Sequence, residues 1–201
     1  MTKYGDRFEN LLARGRFFLR GDRGQDGVAA TEFALVLPVG LILFTGVLTF
    51  GTANEINHKV TLSARTITDL VAQCSSLSTT DMTTLLNATA EVMSPFSSAN
   101  MTMTVSQITV PTSGSATISW SAALNGSGYT AGQSVTLPSG MVSGNTSTTY
   151  LLWGHASYVY TPAIGYMVTG PLTLYDDFYM YPRNSPSGLV TYSSTATTSC
   201  D

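Results

Sequence analysis

The sequence predicts an α+β chain: a long N-terminal membrane-spanning and amphipathic α-helix, then a small extracytoplasmic domain with one helix and an antiparallel β-sheet. Three observations carry that expectation. An apolar run, VAATEFALVLPVGLILFTGVLTF, extends from Val28 to Phe50. Behind it, apolar residues recur at every third or fourth position as far as Val71, and from Met101 onward the period shortens to two.

Residues 1–27 form a basic leader. Lys3, Arg7, Arg14, Arg16, Arg20 and Arg23 supply six of the nine Lys and Arg residues in the chain. Phe8, Leu11, Leu12, Phe18 and Leu19 are spaced as in a short helix lying on a membrane surface. The piece GDRGQDG then reads as an exposed connector whose backbone a protease can reach.

Residues 28–50 are the transmembrane part of the long helix. They number 23, with Glu32 as the one formal charge. As a helix they span about 34 Å, against about 30 Å of hydrocarbon. Excess Lys and Arg on the short flank hold that flank in the cytoplasm and send the C-terminal part outward. Ala30, Ala34, Gly40 and Gly46 let neighbouring helices approach closely, and Pro38 is a place for a bend.

Residues 51–75 continue the same helix to about Gln73 as its amphipathic outer part. Ile56, Val60, Ala64, Ile67 and Val71 fall on one stripe, and Arg65 with Asp69 has the spacing of an i,i+4 ion pair.

Residues 76–201 are the extracytoplasmic α+β domain. A second helix is expected in STTDMTTLLNATAEVMSP, with Ser78 or Thr79 as its N-cap, Asp81 in its first turn and Pro95 closing it. MTMTVSQITV and SATISW alternate about a Pro-Thr-Ser-Gly turn and predict a hairpin. Residues 125–149 read as a surface loop with a short strand at Gln133 to Leu137. TYLLWGHASYVYTP and PLTLYDDFYMYP predict two aromatic-rich strands, and Gly188 to Tyr192 an edge strand.

The chemistry-bearing residues do not assemble into an enzyme, a metal centre or a cofactor motif. His58 and His155 sit in different segments without metal-ligand spacing and read as a helix-face residue and an ordinary strand residue. Asp176 and Asp177 are neighbours on a strand, point to opposite faces and read as a solvated edge. Sequons at Asn87, Asn100, Asn125 and Asn145 are short patterns in a Ser/Thr-rich chain. With six of the nine basic residues in the leader and the remainder of the chain mildly acidic, nothing points to nucleic acid as a partner. Cys74 and Cys200 both fall on the outer side, where they read either as a disulfide or as two buried thiols.

Glu32 is the remaining question. An ionisable group in an apolar span either snorkels to the headgroups or meets a cation. If the chain is cut between Gly27 and Val28, a free α-amine appears one helical turn from Glu32.

The residues DGVAATEFALVLP resemble the type IV prepilin cleavage region: a glycine before the cut, a glutamate fifth after it and an aromatic, Phe33, sixth. With the long helix, Ala64-Arg65 and the C-terminal stretches YVYTPAIG and YMYPR, the chain resembles the TadE-like minor pilins, or pseudopilins, of the bacterial Tad (Flp) pilus system. Asp26 departs from the pattern, in which a basic residue is common.

The resemblance implies a non-enzymatic protein needed for pilus assembly and surface adhesion. Its leader would be removed by a prepilin peptidase at Gly27-Val28, and Glu32 and Phe33 would serve recognition and assembly. Its partners would be that peptidase, the major Flp pilin, other minor pilins, the inner-membrane assembly platform and the lipid bilayer. It would sit in the bacterial inner membrane as a single pass, N-terminus cytoplasmic and C-terminal domain periplasmic, and later in the extracellular pilus. The competing readings are a secreted or anchored periplasmic binding protein whose signal sequence is cut after Ala53, at Gly51-Thr52-Ala53, and an anchored sensor or hydrolase.

Overall fold

The long apolar and amphipathic pattern forms one helix, α1, Gln25–Ala72, of 48 residues, with Pro38 inside it. The computed structural model describes residues 25–112, 115–141, 147–162 and 170–200. The leader before Gln25, the Ala163–Gly165 part of YVYTPAIG and the Asn145 sequon therefore lie outside the described residues. The chain divides between Leu48 and Thr49 into two units, and α1 contributes to both.

In the first unit α1 is apolar on every face, and its side chains from Val28 to Leu48 are exposed or half-exposed. Leu35, Ile42 and Val47 are each more than two-thirds exposed. Leaving one such side chain in water costs roughly 2 kcal/mol, so the surface is suited to lipid. Its hydroxyls suit lipid too: Thr31 donates to the Val28 carbonyl at 2.8 Å and Thr45 to the Leu41 carbonyl at 2.9 Å. One helix of this length and composition is compatible with a single-pass membrane anchor.

In the second unit the stripe residues Ile56, Val60, Ala64, Ile67 and Val71 are buried. They pack in one cluster with Met101, Met103 and Val105 of β2 (Met101–Val110) and Leu152, Ala156 and Tyr158 of β5 (Thr149–Tyr160). Those strands belong to a five-stranded antiparallel sheet, β4-β3-β2-β5-β6, in which β3 is Ala116–Leu124, β4 is Ser134–Val135 and β6 is Leu172–Met180. Strand β2 is central, and eight of its ten residues are buried because both its faces are covered. A register shift between Gln107 and Ile108 skips Ser119, the mark of a β-bulge.

Close approach of α1 to the sheet fixes Gly154 of β5. A Cβ there would strike the Thr68 hydroxyl and lie 2.7 Å from the Ala64 carbonyl oxygen. Neither neighbour moves easily, because Thr68 Oγ1 is held by that same carbonyl at 2.6 Å.

The other side of the sheet has its own smaller core of Ile108, Val110, Ala116, Ile118, Leu137 and Leu151. The segment after β3 crosses this side, starting at Asn125, whose φ is +53°. It passes so near Ser121 that a Cβ on Gly128 would come within 3.2 Å of the Ser121 carbonyl oxygen.

Helix α2, Thr79–Ala90, starts as its capping pattern requires: Ser78 Oγ accepts from the Asp81 backbone N–H at 3.1 Å. The Asp81 carboxylate accepts from Ser78 and Thr198 hydroxyls, which lowers its pKa below the usual carboxylate value. Lys59 of α1 donates to the Val92 and Ser94 carbonyls just past the helix, and so holds its C-terminal end.

Three details differ from the sequence expectations. First, CSSLS is a strand, β1 (Cys74–Ser78), set in a three-stranded sheet between β7 (Thr191–Ser193, parallel) and β8 (Ser199–Cys200, antiparallel). The expected edge strand near Tyr192 thus pairs with β1, not with the main sheet. Serine-rich, with Leu77 as its single aliphatic residue, β1 has no alternation for a sequence reading to detect. Second, Asp69 pairs with Arg183 at 2.8 Å rather than with Arg65, whose guanidinium lies 5.3 Å from the centre of the Phe178 ring. The Arg183 N–H also reaches the Ala72 carbonyl at the end of α1, at 2.8 Å. Third, the short strand expected over Gln133 to Leu137 is confined to Ser134–Val135.

Cys74 and Cys200 face each other across β1 and β8 and form a disulfide. The bridge joins positions 126 residues apart, and closing a loop of that length stabilises by roughly 4 to 5 kcal/mol in the chain-entropy view. Replacing both cysteines by serine is expected to lower the unfolding free energy of the C-terminal domain by a few kcal/mol, read by denaturant titration of Trp120 and Trp153 fluorescence. In the same assay Gly154→Ala is expected to cost about 1 to 3 kcal/mol through collision, and Gly132→Ala, with open space around it but φ at +84°, about 1 to 2 kcal/mol through backbone strain alone.

Candidate functional site

The residues singled out for processing and assembly lie together at the start of α1. Gly27 is helical, and a Cβ there meets nothing within 4 Å. The fold therefore imposes no need for glycine at this position. Val28 and Glu32 are four residues apart and share one helix face. Glu32 and Phe33 are exposed, Phe33 to 66 %. The surface they offer is apolar with one carboxylate, a pattern suited to packing against other helices in lipid.

A second concentration of chemistry lies on the side of the main sheet turned away from α1. His155 of β5 and Asp177 of β6 are directly paired in register, as are Trp153 and Tyr179. Asp177 Oδ1 accepts from Trp153 Nε1 at 2.7 Å and lies 2.8 Å from His155 Nδ1. Trp153 stacks against Tyr129 on one side, centroids 4.8 Å apart, and lies parallel to Tyr179 at 6.0 Å. Partial burial, then the Asp177 charge, raise the phenol pKa values of Tyr129 and Tyr179.

This cluster was missed as a unit in the sequence. The alternation of the two strands did place Asp177 opposite in sense to Asp176, whose Oδ1 accepts from the Asp177 N–H at 2.9 Å. Asp177 is exposed on β6, an edge strand of the sheet, as the solvated-edge reading expects, and has in addition two nitrogen partners on β5, one of them the strand residue His155. The missing signal was strand register: only the pairing of β5 with β6 brings residues 22 positions apart into contact.

Among the described residues no group of three or more His, Cys, Asp or Glu is placed to hold a metal ion. A groove beside α1, of about 300 Å³, is lined by Arg65, Thr66, Asp69, Leu70, Phe178 and Met180; the Thr66 hydroxyl donates to the Leu62 carbonyl and Asp69 is paired with Arg183.

Comparison with known proteins bears on α1. Residues 27–68 match the model of the family described as TadE-like protein. No curated protein and no solved structure matches the chain. The matched segment opens at Gly27 and includes Glu32, Phe33 and the stripe as far as Ile67. It supports a pilin-like protein associated with the Tad pilus. Over residues 27–68, accordingly, the chain is TadE-like.

Proposed function

We propose that the chain is a minor pilin or pseudopilin of a Tad (Flp) pilus, cut between Gly27 and Val28 by a prepilin peptidase and required for pilus assembly and surface adhesion. The observation that carries this reading is Glu32, the single carboxylate of the apolar span from Val28 to Phe50 of α1, one turn from the proposed new N-terminus, within a segment that matches the TadE-like family. In lipid an unpaired carboxylate is costly, about 3 kcal/mol at a helix centre on insertion scales and less near the end of the span, where Glu32 lies. The α-amine released at Val28 of a neighbouring subunit is a cation able to offset that cost, at close range and away from water. Phe33 then packs beside the ion pair.

The leader's basic residues stay cytoplasmic in this reading, and the C-terminal domain is periplasmic until the subunit leaves the membrane. Its partners are the peptidase, the major pilin and other minor pilins, and the inner-membrane assembly platform. The disulfide is in keeping with an oxidising compartment. A cut after Ala53 instead would fall inside α1, three residues before the buried Ile56, and would remove the apolar half of the helix while leaving the buried stripe in place.

Two variants test the reading in a pilus-producing cell. Gly27→Ser is expected to leave the fold intact, because its side chain points into open space, yet to leave the precursor uncut on an immunoblot. Glu32→Ala is expected to be cut normally while the amount recovered in sheared pili, or the number of pili, falls about tenfold or more. Normal piliation of the Glu32→Ala strain would refute the role given to this carboxylate.

A further inference from the structure

The exposed part of the sheet face away from α1 carries a second proposal. The segment after β3 covers that face only as far as Tyr129, which lies on Trp153. Beyond it, the described residues leave the outer side of β5 and β6 open. There Tyr175 is 65 % exposed at mid-strand, with its ring 6.3 Å from that of His155. Asp177, in the next outward position of β6, is not a loose surface carboxylate. Its Oδ1 is held by Trp153 Nε1 and by His155, while Oδ2 accepts no hydrogen bond from the described residues. The imidazole gives Nδ1 to this contact, so Nε2 is the nitrogen left for another partner.

Register extends the polar row across the sheet. Ser157 pairs with Tyr175 on one side and with Thr102 on the other, so the Ser157 hydroxyl lies beside the open ring on its inner side. No Lys or Arg occurs on β2, β3, β5 or β6, and after Gly27 the chain has three Lys and Arg against eight Asp and Glu. An anionic ligand would meet repulsion here. The surface is flat, which favours an extended ligand over a small enclosed one.

We propose that Tyr175, His155 and Asp177 form a platform for neutral saccharide chains. A sugar ring presents C–H groups to the open face of Tyr175, as aromatic faces accept apolar and weakly positive edges. Its hydroxyls then donate to Asp177 Oδ2 and exchange hydrogen bonds with His155 Nε2 and the Ser157 hydroxyl. The stack of Tyr129, Trp153 and Tyr179 holds the carboxylate in place before a ligand arrives, so little is lost in ordering it. The proposal stands apart from processing at Gly27: binding can be present when piliation fails, and absent when piliation is normal.

The test uses the full chain in micelles of lauryldimethylamine oxide, a detergent without a sugar headgroup. It is titrated with tetramers of glucose, galactose and N-acetylglucosamine, and with tetragalacturonate as the anionic counterpart, by calorimetry and Trp fluorescence. At least one neutral tetramer is expected to bind saturably, and tetragalacturonate is not. Tyr175→Ala and Asp177→Asn are each expected to weaken binding about tenfold or more, a loss of about 1.4 kcal/mol, while Tyr175→Phe retains it. The Tyr175 side chain is largely in solvent, so its removal leaves the fold unchanged by circular dichroism. No saturable signal from any neutral tetramer up to about 10 mM, or undiminished binding by Tyr175→Ala, overturns the proposal.

Discussion

The C-terminal domain rests on the contact between the outer half of α1 and the main sheet. Ile56, Val60, Ala64, Ile67 and Val71 are spaced to present one continuous stripe, and β2 and β5 meet it with methionines, aliphatic residues and one glycine. Gly154 sets how near the helix can come, since any side chain there would collide with Thr68 and Ala64. Because β5 lies between β2 and β6, the same contact fixes the strand whose opposite side carries Trp153 and His155. Packing on one face thus determines which side chains are presented on the other.

The end of α1 is secured separately. Its last carbonyl region receives the Arg183 backbone N–H, Asp69 binds the Arg183 guanidinium, and the chain passes at once into β1 and the disulfide. Residues from the extreme C-terminus and from the loop after β6 therefore close around the helix end. This arrangement accounts for a disulfide spanning most of the domain: β1 and β8 are too short to hold each other by ladder hydrogen bonds alone. The first half of α1 needs no such support, since apolar side chains on all its faces are what a helix in lipid requires.

Much of this was legible in the sequence, for identifiable reasons. Periodicity located α1 and its buried stripe, the Ser78-Thr79-Thr80-Asp81 pattern located the start of α2, and alternation located β2, β3, β5 and β6. Strands without alternation were not legible: β1 has a single aliphatic side chain, and β7 and β8 are two or three residues long. Long-range polar pairing was equally hidden. Helical spacing points Asp69 to its neighbour Arg65, whereas the fold delivers Arg183 from 114 positions away, and nothing local distinguishes the two arginines. Nothing in the sequence around His155 or Asp177 marks either residue, because only register makes them a pair. For the proposed processing site the opposite holds: Gly27, Glu32 and Phe33 were visible as a motif, and the geometry adds that Gly27 is not there for the fold's sake.

The central claim is that the carboxylate at position 32 belongs in lipid only because cleavage creates a cation for it to meet. The most direct measurement is the N-terminal sequence, by mass spectrometry of tryptic and intact protein, of native chain purified from pili or from the membranes of a piliated cell. The account predicts a mature N-terminus at Val28 that disappears when the prepilin peptidase is deleted. A native chain that still carries Met1 to Gly27, or one that begins at Asn54, would contradict it.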